Sequence, residues 1–321
     1  MRTALSSSPS RSTTSDPPPR VTSSHFWEYH LAVLLVRVLA RMRQAPALLL
    51  GTLLGYLAFD VLRIRRKVAL QNLSMSFRGK RHAELVRLAR RTYANLGRVM
   101  VEFCRFPVLA RQGDLEASVD VEGLQHLQEA QQARRGAVLV TAHFGNWELL
   151  VARIAARIQP LMVLVGRQKN PAADRLINQH RRVMNVQPLR VGASVKGALR
   201  ALRRNAVIGI AADQDAGKRG IFVEFLGRPA SSAQGPAAIA LRERCALVLG
   251  LDVMRPRGKH TVFLELLARP GEMAYTPQNV RALTERYNQR LADYVQRYPD
   301  QWFWVHRKWK TQPSESPGTD R

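Results

Sequence analysis

Beyond Gly136, short apolar runs alternate with amphipathic stretches, and this alternation constrains the fold more than any other feature of the sequence. The apolar runs predict strands at 137–142, 161–166, 206–212, 246–253 and 260–267. The amphipathic stretches predict helices near 148–158, 172–184, 194–204, 235–244 and 279–297. Strands that alternate with helices form a largely parallel sheet covered by helices. We therefore predict an α/β fold.

Three of the predicted strands end on polar residues of a catalytic type, His143, Arg167 and Asp213. The carboxyl ends of parallel strands lie along one edge of a sheet, where open α/β folds bind their ligands. Each residue alone could be an exposed loop charge. Their coincidence predicts a site in which a base, a cation and a carboxylate lie together.

His143 and Glu148 flank the tetrapeptide Phe144-Gly145-Asn146-Trp147, where a predicted strand passes through a tight turn into a helix. This spacing lets the carboxylate reach one imidazole nitrogen while the other faces the cleft, which is the arrangement of a general base and its orienting acid. The alternative is structural, because acidic residues in the first turn of any helix complement its dipole.

The chain is strongly basic, with 50 Lys and Arg against 24 Asp and Glu and a formal net charge of +26. Such a surface attracts polyanions, which include nucleic acid, anionic lipid and acidic proteins. The two cysteines, Cys104 and Cys245, fit a reduced compartment and offer no disulfide framework. Zinc-type spacings of Cys and His are absent from the sequence, so we do not expect His143 to bind a metal.

The N-terminal part of the chain consists of a polar segment, an apolar segment and a short basic cluster. Residues 1–24 are rich in Ser, Thr, Pro and Arg and predict a disordered tail. From Ala45 to Leu62 the only charge is Asp60, and a basic cluster at 63–67 follows. We predict a membrane anchor at 25–68, either one span or a pair of interfacial helices, with the remainder on the cytoplasmic side. A buried helical hairpin of a soluble protein is the alternative.

The remainder of the chain divides into a catalytic domain at 69–310, which begins with an amphipathic helix at 82–106, and a second disordered tail at 311–321. Phe and Leu residues in the loop 214–229 could line a slot for an alkyl chain or fill the core. In the segment 301–310, three tryptophans lie among cationic side chains, which is typical of nucleic-acid stacking or of a membrane-interface belt. The apolar anchor favours the membrane.

Together these motifs resemble the late acyltransferases of lipid A biosynthesis, the lauroyl and myristoyl transferases that act on Kdo2-lipid A precursors. The resemblance covers about residues 26–310 and is carried by Ala142–Glu148, Arg167 with Lys169-Asn170-Pro171, Asp213–Gly217, Phe225–Ala230 and Gln301–Arg307. It implies a glycerol-phosphate-acyltransferase-like α/β fold with an N-terminal membrane helix at the cytoplasmic face of the bacterial inner membrane. It also implies acyl carrier protein thioesters as donors, with coenzyme A thioesters left open, and no other cofactor.

The resemblance further implies roles for single residues. His143 would be the general base that removes a proton from an acceptor hydroxyl, and Glu148 would be its partner. The substrate-binding residues would be Arg167, Lys169, Asp213, Gln214, Arg228, Trp304 and Arg307. The sequence departs from the family pattern at Gly166, which precedes Arg167, and at the basic pair Lys218-Arg219. The expected partners are acyl carrier protein, an anionic lipid A precursor and membrane phospholipids, and not nucleic acid.

Three alternatives stay open at the level of sequence. The same chemistry could act on another acceptor, such as a phosphatidylinositol mannoside, a lysophospholipid or an ornithine lipid. A nucleic-acid-binding module would explain the charge but not the anchor or the strand-end residues. A non-catalytic membrane scaffold would need none of His143, Glu148 and Arg167.

Overall fold

The computed structural model describes residues 23–113, 115–168, 170–190 and 195–313. The predicted tails at 1–24 and 311–321 lie almost entirely outside these ranges, and Lys169 lies outside them as well.

A sheet of seven strands forms the centre of the described chain, in the order β1-β9-β8-β2-β5-β3-β4. Its strands are β1 (Val119–Glu122), β2 (Ala137–Thr141), β3 (Leu161–Val165), β4 (Val186–Arg190), β5 (Val207–Ala211), β8 (Ala246–Met254) and β9 (His260–Ala268). All neighbours are parallel except β8 and β9, which are antiparallel. A separate antiparallel hairpin is formed by β6 (Ile221–Phe225) and β7 (Arg228–Ser232). The predicted α/β fold with a largely parallel sheet is confirmed.

Helices cover both faces of the sheet and build the N-terminal part of the protein. They are α1 (Ser23–Arg41), α2 (Gln44–Tyr56) with a π-helical turn at Leu57–Val61, α3 (Arg66–Ser76), α4 (His82–Cys104), α5 (Phe106–Gln112), α6 (Leu115–Ser118), α7 (Gln125–Gln132), α8 (Trp147–Ala155), α9 (Pro171–Val183), α10 (Val195–Arg203), α11 (Gly235–Glu243) and α12 (Pro277–Arg297). The predicted helix at 82–106 is α4, and the predicted boundary between 68 and 69 falls inside α3.

The central strands are apolar without interruption because both of their faces are buried. Val138 and Val140 of β2 belong to the core on one face of the sheet, with Ile208 of β5. Leu139 belongs to the core on the other face, with Val248 of β8. Strands buried on both sides read as continuous hydrophobic runs, which is the pattern that made them recognisable in the sequence.

Helix α2 packs closely along α4 through glycines. A Cβ atom at Gly97 would lie 1.9 Å from the carbonyl oxygen of Gly51, and one at Gly55 would lie 2.1 Å from that of Tyr93. Only glycine allows backbones to approach this closely. The segment Gln44–Val61 is long and apolar enough to cross a membrane, with a mean hydropathy of 1.3 and 28% of its residues buried. Its outward face exposes Leu49, Leu53, Leu54, Leu57 and Val61.

The segment 214–229, which we expected to be a loop, contains most of the β6–β7 hairpin. Phe225 is fully buried against Trp302, with ring centroids 5.2 Å apart. Of the two interpretations of its aromatic residues, the structure therefore confirms core filling for Phe225.

Candidate active site

The register of the sheet brings His143 between two acids. Thr141 at the end of β2 pairs with Ala211 of β5 on one side and with Gly250 of β8 on the other. Two residues further along, the same register places His143 level with Asp213 and Asp252. All three strands run parallel here, so their ends meet at the edge where ligands bind.

Asp213 holds the ring of His143. Its Oδ1 atom lies 2.8 Å from Nδ1 of His143, and its Oδ2 atom accepts a hydrogen bond of 3.0 Å from the indole Nε1 of Trp302. The side chain of Asp213 is only 2% exposed, whereas that of His143 is 25% exposed. Because an ionised carboxylate can only accept, Nδ1 carries the proton of the neutral ring and Nε2 is left as the basic nitrogen.

Electrostatics strengthen this pair. Burial lowers the pKa of His143, but the charge and hydrogen bond of Asp213, aided by the charge of Glu148, raise that pKa above its ordinary value. Burial raises the pKa of Asp213, but His143, Lys308 and the Trp302 hydrogen bond together hold it below its ordinary value. The arrangement is thus an ionised acid that makes its imidazole more basic.

Glu148 has a different partner from the one that its spacing suggested. Its carboxylate accepts two hydrogen bonds from Arg181 of α9, at 2.9 Å to Nε and 2.5 Å to Nη2. The expected hydrogen bond between Glu148 and His143 is therefore wrong in this structure, and Asp213 takes that place. The reason is positional, because Glu148 starts α8 and faces the neighbouring helix α9. It still acts on His143 through its charge.

Two aromatic side chains and a returning segment enclose the imidazole. Its ring lies 5.0 Å from that of Trp147 in an edge-on arrangement and 5.7 Å from that of Phe303. The backbone N–H of Phe303 donates to the carbonyl of His143 at 3.0 Å, and that of Gly145 donates to the carbonyl of Gln301 at 2.8 Å. The segment that follows α12 thus fixes the turn that carries His143 from outside.

A buried polar network fixes the same turn from inside. The backbone N–H of Asn146 donates to Asp252 at 2.7 Å, and its side-chain amide donates to Glu102 of α4 at 2.7 Å. His260 of β9 bridges the two acids, with Nδ1 2.9 Å from Asp252 and Nε2 3.1 Å from Glu102. Gly145 has a φ of +54°, and a Cβ atom there would lie 2.0 Å from the carbonyl oxygen of Asp252, so glycine is required.

The remaining predicted site residues are dispersed. Arg167 is exposed after β3 at the same sheet edge. Burial raises the pKa of the nearby Asp174, but the hydrogen bond from Arg190 and, to a smaller extent, the charge of Arg167 lower that pKa below its ordinary value. Gln214 and Arg228 are half-buried, and Arg307 is exposed. Lys169 lies outside the described residues. The structure brings His143 and Asp213 into contact, and it places Glu148 close enough for its charge to act on His143.

The tryptophans of the C-terminal segment do not form a membrane-interface belt. Trp302, Trp304 and Trp309 are only 1%, 0% and 6% exposed. Trp304 donates its indole N–H to the carbonyl of Pro299 at 2.6 Å and packs edge-on against Trp302. The predicted belt is therefore wrong, because this segment folds back over the sheet edge and its tryptophans enter the core.

Two groups beside Asp213 were not found from the sequence. Lys308 is fully buried, and burial lowers its pKa to about 8 although the nearby carboxylate of Asp213 opposes this shift. Nε2 of His306 accepts a 3.1 Å hydrogen bond from the backbone N–H of Asp215. Neither Lys308 nor Arg181, the partner of Glu148, has a sequence signal that distinguishes it from the many surface cations of this chain.

An apolar cavity of about 540 Å³ adjoins this constellation. It lies between α1, α2 and α4, and its lining includes Leu54, Tyr93, Leu96, Met100, Phe303 and Val305. Phe303 also contacts the imidazole, so this one side chain lies between the cavity and the base. Its size and apolar walls are those of a small-molecule site.

Comparisons with known proteins identify the family of the chain. The sequence profile of the family described as bacterial lipid A biosynthesis acyltransferase matches residues 18–311. The chain belongs to this family and is an acyltransferase.

Several relatives are similar over most of their length. The lipid A biosynthesis palmitoleoyltransferase of Escherichia coli is 26% identical over 267 residues, which cover 82% of this chain and 85% of that protein. The lipid A biosynthesis lauroyltransferase of the same organism is 25% identical over 91% of this chain and 94% of its own length. A phosphatidylinositol mannoside acyltransferase of Mycobacterium tuberculosis is 27% identical over 68% of this chain and 69% of its own length.

Proposed function

We propose that this protein transfers a fatty acyl chain from a thioester to a hydroxyl of a lipid A precursor, with His143 as the general base. The observation that carries the proposal is the 2.8 Å contact between Nδ1 of His143 and the buried Asp213, which leaves Nε2 as a base. Phe303 connects this base to the apolar cavity. The names of the Escherichia coli relatives support lipid A as the acceptor. We also propose that the α/β fold is of the glycerol-phosphate-acyltransferase type.

The reaction follows from these atoms. Nε2 of His143 removes the proton of the acceptor hydroxyl as its oxygen bonds to the thioester carbonyl carbon. The tetrahedral intermediate then breaks its carbon–sulfur bond, and the leaving thiolate takes the proton from the imidazolium. Asp213 keeps the proton of the neutral ring on Nδ1 and stabilises the imidazolium, as the acid does in serine-protease triads, but here the nucleophile belongs to the substrate.

The developing oxyanion needs positive charge. The N-terminus of α8, which begins at Trp147, offers the positive end of a helix dipole next to the base. Arg181 lies close enough for its charge to act on His143, and it remains tied to Glu148. In this proposal Glu148 is a positioning residue that orients Arg181, and Arg167 contacts the acceptor from the end of β3.

The apolar cavity would hold the acyl chain next to the base, and its walls suggest how the enzyme meets the membrane. The apolar segment Gln44–Val61 is held to the proposed catalytic domain at its start and just beyond its end: Gln44 Nε2 donates to the carbonyl of Gly258 at 3.4 Å, and Arg65 Nη1 donates to that of Val305 at 3.1 Å. These two contacts favour an orientation along the membrane surface over one across it. We therefore favour interfacial helices, with the exposed leucines of α2 in the cytoplasmic leaflet and the basic residues at 63–67 on lipid phosphates.

A phosphatidylinositol mannoside is the second candidate acceptor, because the mycobacterial relative is named for that substrate. The dyad chemistry is the same for both acceptors. The donor is proposed to be an acyl carrier protein thioester, since the basic surface suits an acidic carrier protein, with coenzyme A as the other donor to assay.

Mass spectrometry of lipid A tests the proposal. The chain is expressed in a strain that lacks its own late acyltransferases, beside His143→Ala and the matched control His82→Ala, which removes an exposed histidine at the start of α4. We expect an added acyl mass with the wild type and His82→Ala, and none with His143→Ala. Unchanged lipid A with an expressed wild type would exclude this acceptor, and normal acylation by His143→Ala would exclude the base.

A further inference from the structure

A second cavity, of about 740 Å³, lies between the N-terminus of α2, helix α4 and the turn that follows β8. Four arginines contribute to its lining, Arg43, Arg98, Arg255 and Arg257. Strand β8 is parallel to β2 and adjacent to it, so its end at Met254 shares the sheet edge with His143. The cavity therefore opens on the side of the base that is opposite to Asp213 on β5.

Among the described residues, none of the four arginines of this cavity forms an ion pair with a carboxylate. Arg98 donates to the hydroxyl of Thr52 at 2.8 Å, and Arg255 donates to that of Thr261 at 3.1 Å. Exposed guanidinium groups are present on many surfaces, but four that line one cavity without an ion pair favour an anion there.

The one acid in the lining does not neutralise them. Glu102 is bound to His260 at 3.1 Å and to the amide of Asn146 at 2.7 Å. Burial lowers the pKa of His260, but Asp252 and Glu102 raise it to about 10, so this imidazole is protonated at neutral pH. Its single positive charge offsets one of the two buried carboxylates, and burial raises the pKa of the other, Asp252. The hydrogen bonds of Glu102 are thus made within this network and not to the arginines.

The backbone of α2 adds to the positive charge. Its first turn contains no acidic residue, and its N-cap residue, Arg43, makes no capping hydrogen bond with its side chain. Gln44, Ala45 and Pro46 of this turn also line the cavity. Pro46 has no N–H, so the donors that this turn offers are those of Gln44 and Ala45. Such N–H groups at a helix N-terminus favour an anion, and here they act together with the arginines.

We propose that this arginine pocket binds a phosphate group of the lipid acceptor. Guanidinium groups match phosphate with paired hydrogen bonds, and the outward face of α2, which begins at the pocket, is apolar. A phosphorylated lipid could therefore place its phosphate in the pocket and its chains along Leu49 and Leu53. The assignment rests on the proposed acyl transfer, because it anchors the acceptor one strand away from His143.

The test uses the full-length protein and a double variant, Arg43→Gln with Arg257→Gln. Both side chains are exposed and make no ion pair, so their loss should leave the fold intact. The matched control is Arg182→Gln with Arg242→Gln, two exposed arginines elsewhere that remove the same charge. Binding is measured to phosphatidylcholine vesicles with and without phosphatidic acid, and to inorganic pyrophosphate by thermal shift.

We expect the pocket variant to bind phosphatidic acid vesicles about 30-fold more weakly and the control to lose less than about threefold, since each basic residue near a membrane contributes on the order of 1 kcal/mol, which is about fivefold. Equal losses in both variants would overturn the pocket as a site. Pyrophosphate binding that depends on the pocket without any preference for phosphatidic acid vesicles would overturn the lipid source.

Enzyme kinetics test the arginine pocket separately from the proposed acyl transfer. KM is measured for phosphorylated and dephosphorylated lipid A precursor with an acyl carrier protein thioester. We expect the pocket variant to raise KM for the phosphorylated acceptor and to leave that for the dephosphorylated one unchanged. Wild-type turnover with unaltered KM values in the variant would refute the pocket alone, whereas no turnover by the wild type with any acceptor would refute the proposed function.

Discussion

Replacing Asp213 by Asn should show whether this acid sets the tautomer of His143. In the wild type, Oδ1 accepts from His143 and Oδ2 accepts from the indole N–H of Trp302. An amide in the same position must turn its oxygen toward Trp302, because the indole can only donate. Its NH₂ group then faces Nδ1 of His143, which must become an acceptor. The proton of the neutral ring moves to Nε2, and the base is lost.

The size of this effect follows from the role of the lost nitrogen. General-base catalysis contributes about 10²- to 10⁴-fold in rate, so Asp213→Asn should reduce kcat/KM by this factor. At about 1.4 kcal/mol per tenfold, the barrier to acyl transfer rises by about 3 to 5 kcal/mol. In serine-protease triads, an acid-to-amide change that forces the wrong tautomer costs about 10⁴-fold, which is the upper end of this range.

The assay is the initial rate of acyl transfer from an acyl carrier protein thioester as a function of pH. His143 must be neutral to act, so the wild-type rate rises with pH through a pKa that Asp213 and Glu148 hold above its ordinary value. Removing the Asp213 charge lowers that pKa, and the acidic limb of the residual activity should move to lower pH. Thermal unfolding of the wild type and of Asp213→Asn is compared to confirm that the variant is folded.

Two results would refute this reasoning. An Asp213→Asn enzyme that is folded and retains near-normal kcat/KM would show that the acid does not set the tautomer. A large loss of rate with an acidic limb at the wild-type pH would show that Asp213 acts on something other than the imidazole.

Four further substitutions have defined outcomes. Glu148→Gln breaks a mostly buried ion pair with Arg181 and should lower the free energy of unfolding in urea by about 3 kcal/mol. Asn146→Ala removes the α8 cap and a partner of Glu102, so we expect a loss of about 2 kcal/mol in the same assay. Gly97→Ala places a methyl group against Gly51 and should lower Tm by several degrees, a cost of about 1 to 3 kcal/mol. Burial depresses the pKa of Lys308 from 10.5 to about 8, so the unfolded state binds more protons between these values and wild-type stability should rise with pH there, relative to Lys308→Met. An unchanged unfolding energy in any of the first three variants, or parallel pH curves in the fourth, would contradict the corresponding contact.

The sequence predicted the central sheet better than its margins. Strands with both faces buried stand out as continuous apolar runs, and β8 and β9 were located to within a residue at each end. The edge strands β1 and β4 were missed because they are short, partly exposed and polar, with the sequences VDVE and VQPLR. Their pairing depends on neighbours that are distant in the chain, which a local pattern does not reveal.

The β6–β7 hairpin was not predicted because its turn has an unusual sequence. Leu226 and Gly227 form a two-residue connection, and both have positive φ, +52° and +74°. Such turns usually carry Asn-Gly or Asp-Gly, and a leucine at the first position gives no turn signal. The hairpin is nevertheless stable because its Phe225 is buried against Trp302.

The error at the active site has a related cause. Glu148 is five residues from His143 and Asp213 is seventy, so a local pattern selects the nearer acid. The sheet register decides otherwise, since it places the ends of β2 and β5 side by side. The strand-end positions of His143 and Asp213 were visible in the sequence, but the pairing of their strands was not.

The geometry of the base is determined by the central sheet. Asp213 holds the imidazole from β5, and Asp252 holds the turn that carries it from β8, on the other side of β2. Neither restraint involves the exposed apolar helices α1 and α2. In the proposed reaction, the distance between His143 and Asp213 is therefore set by β2 and β5, whereas the cavity that would hold the acyl chain is lined by α1, α2 and α4. The reacting groups and the apolar walls thus belong to different elements, and the base keeps its geometry on rigid strands.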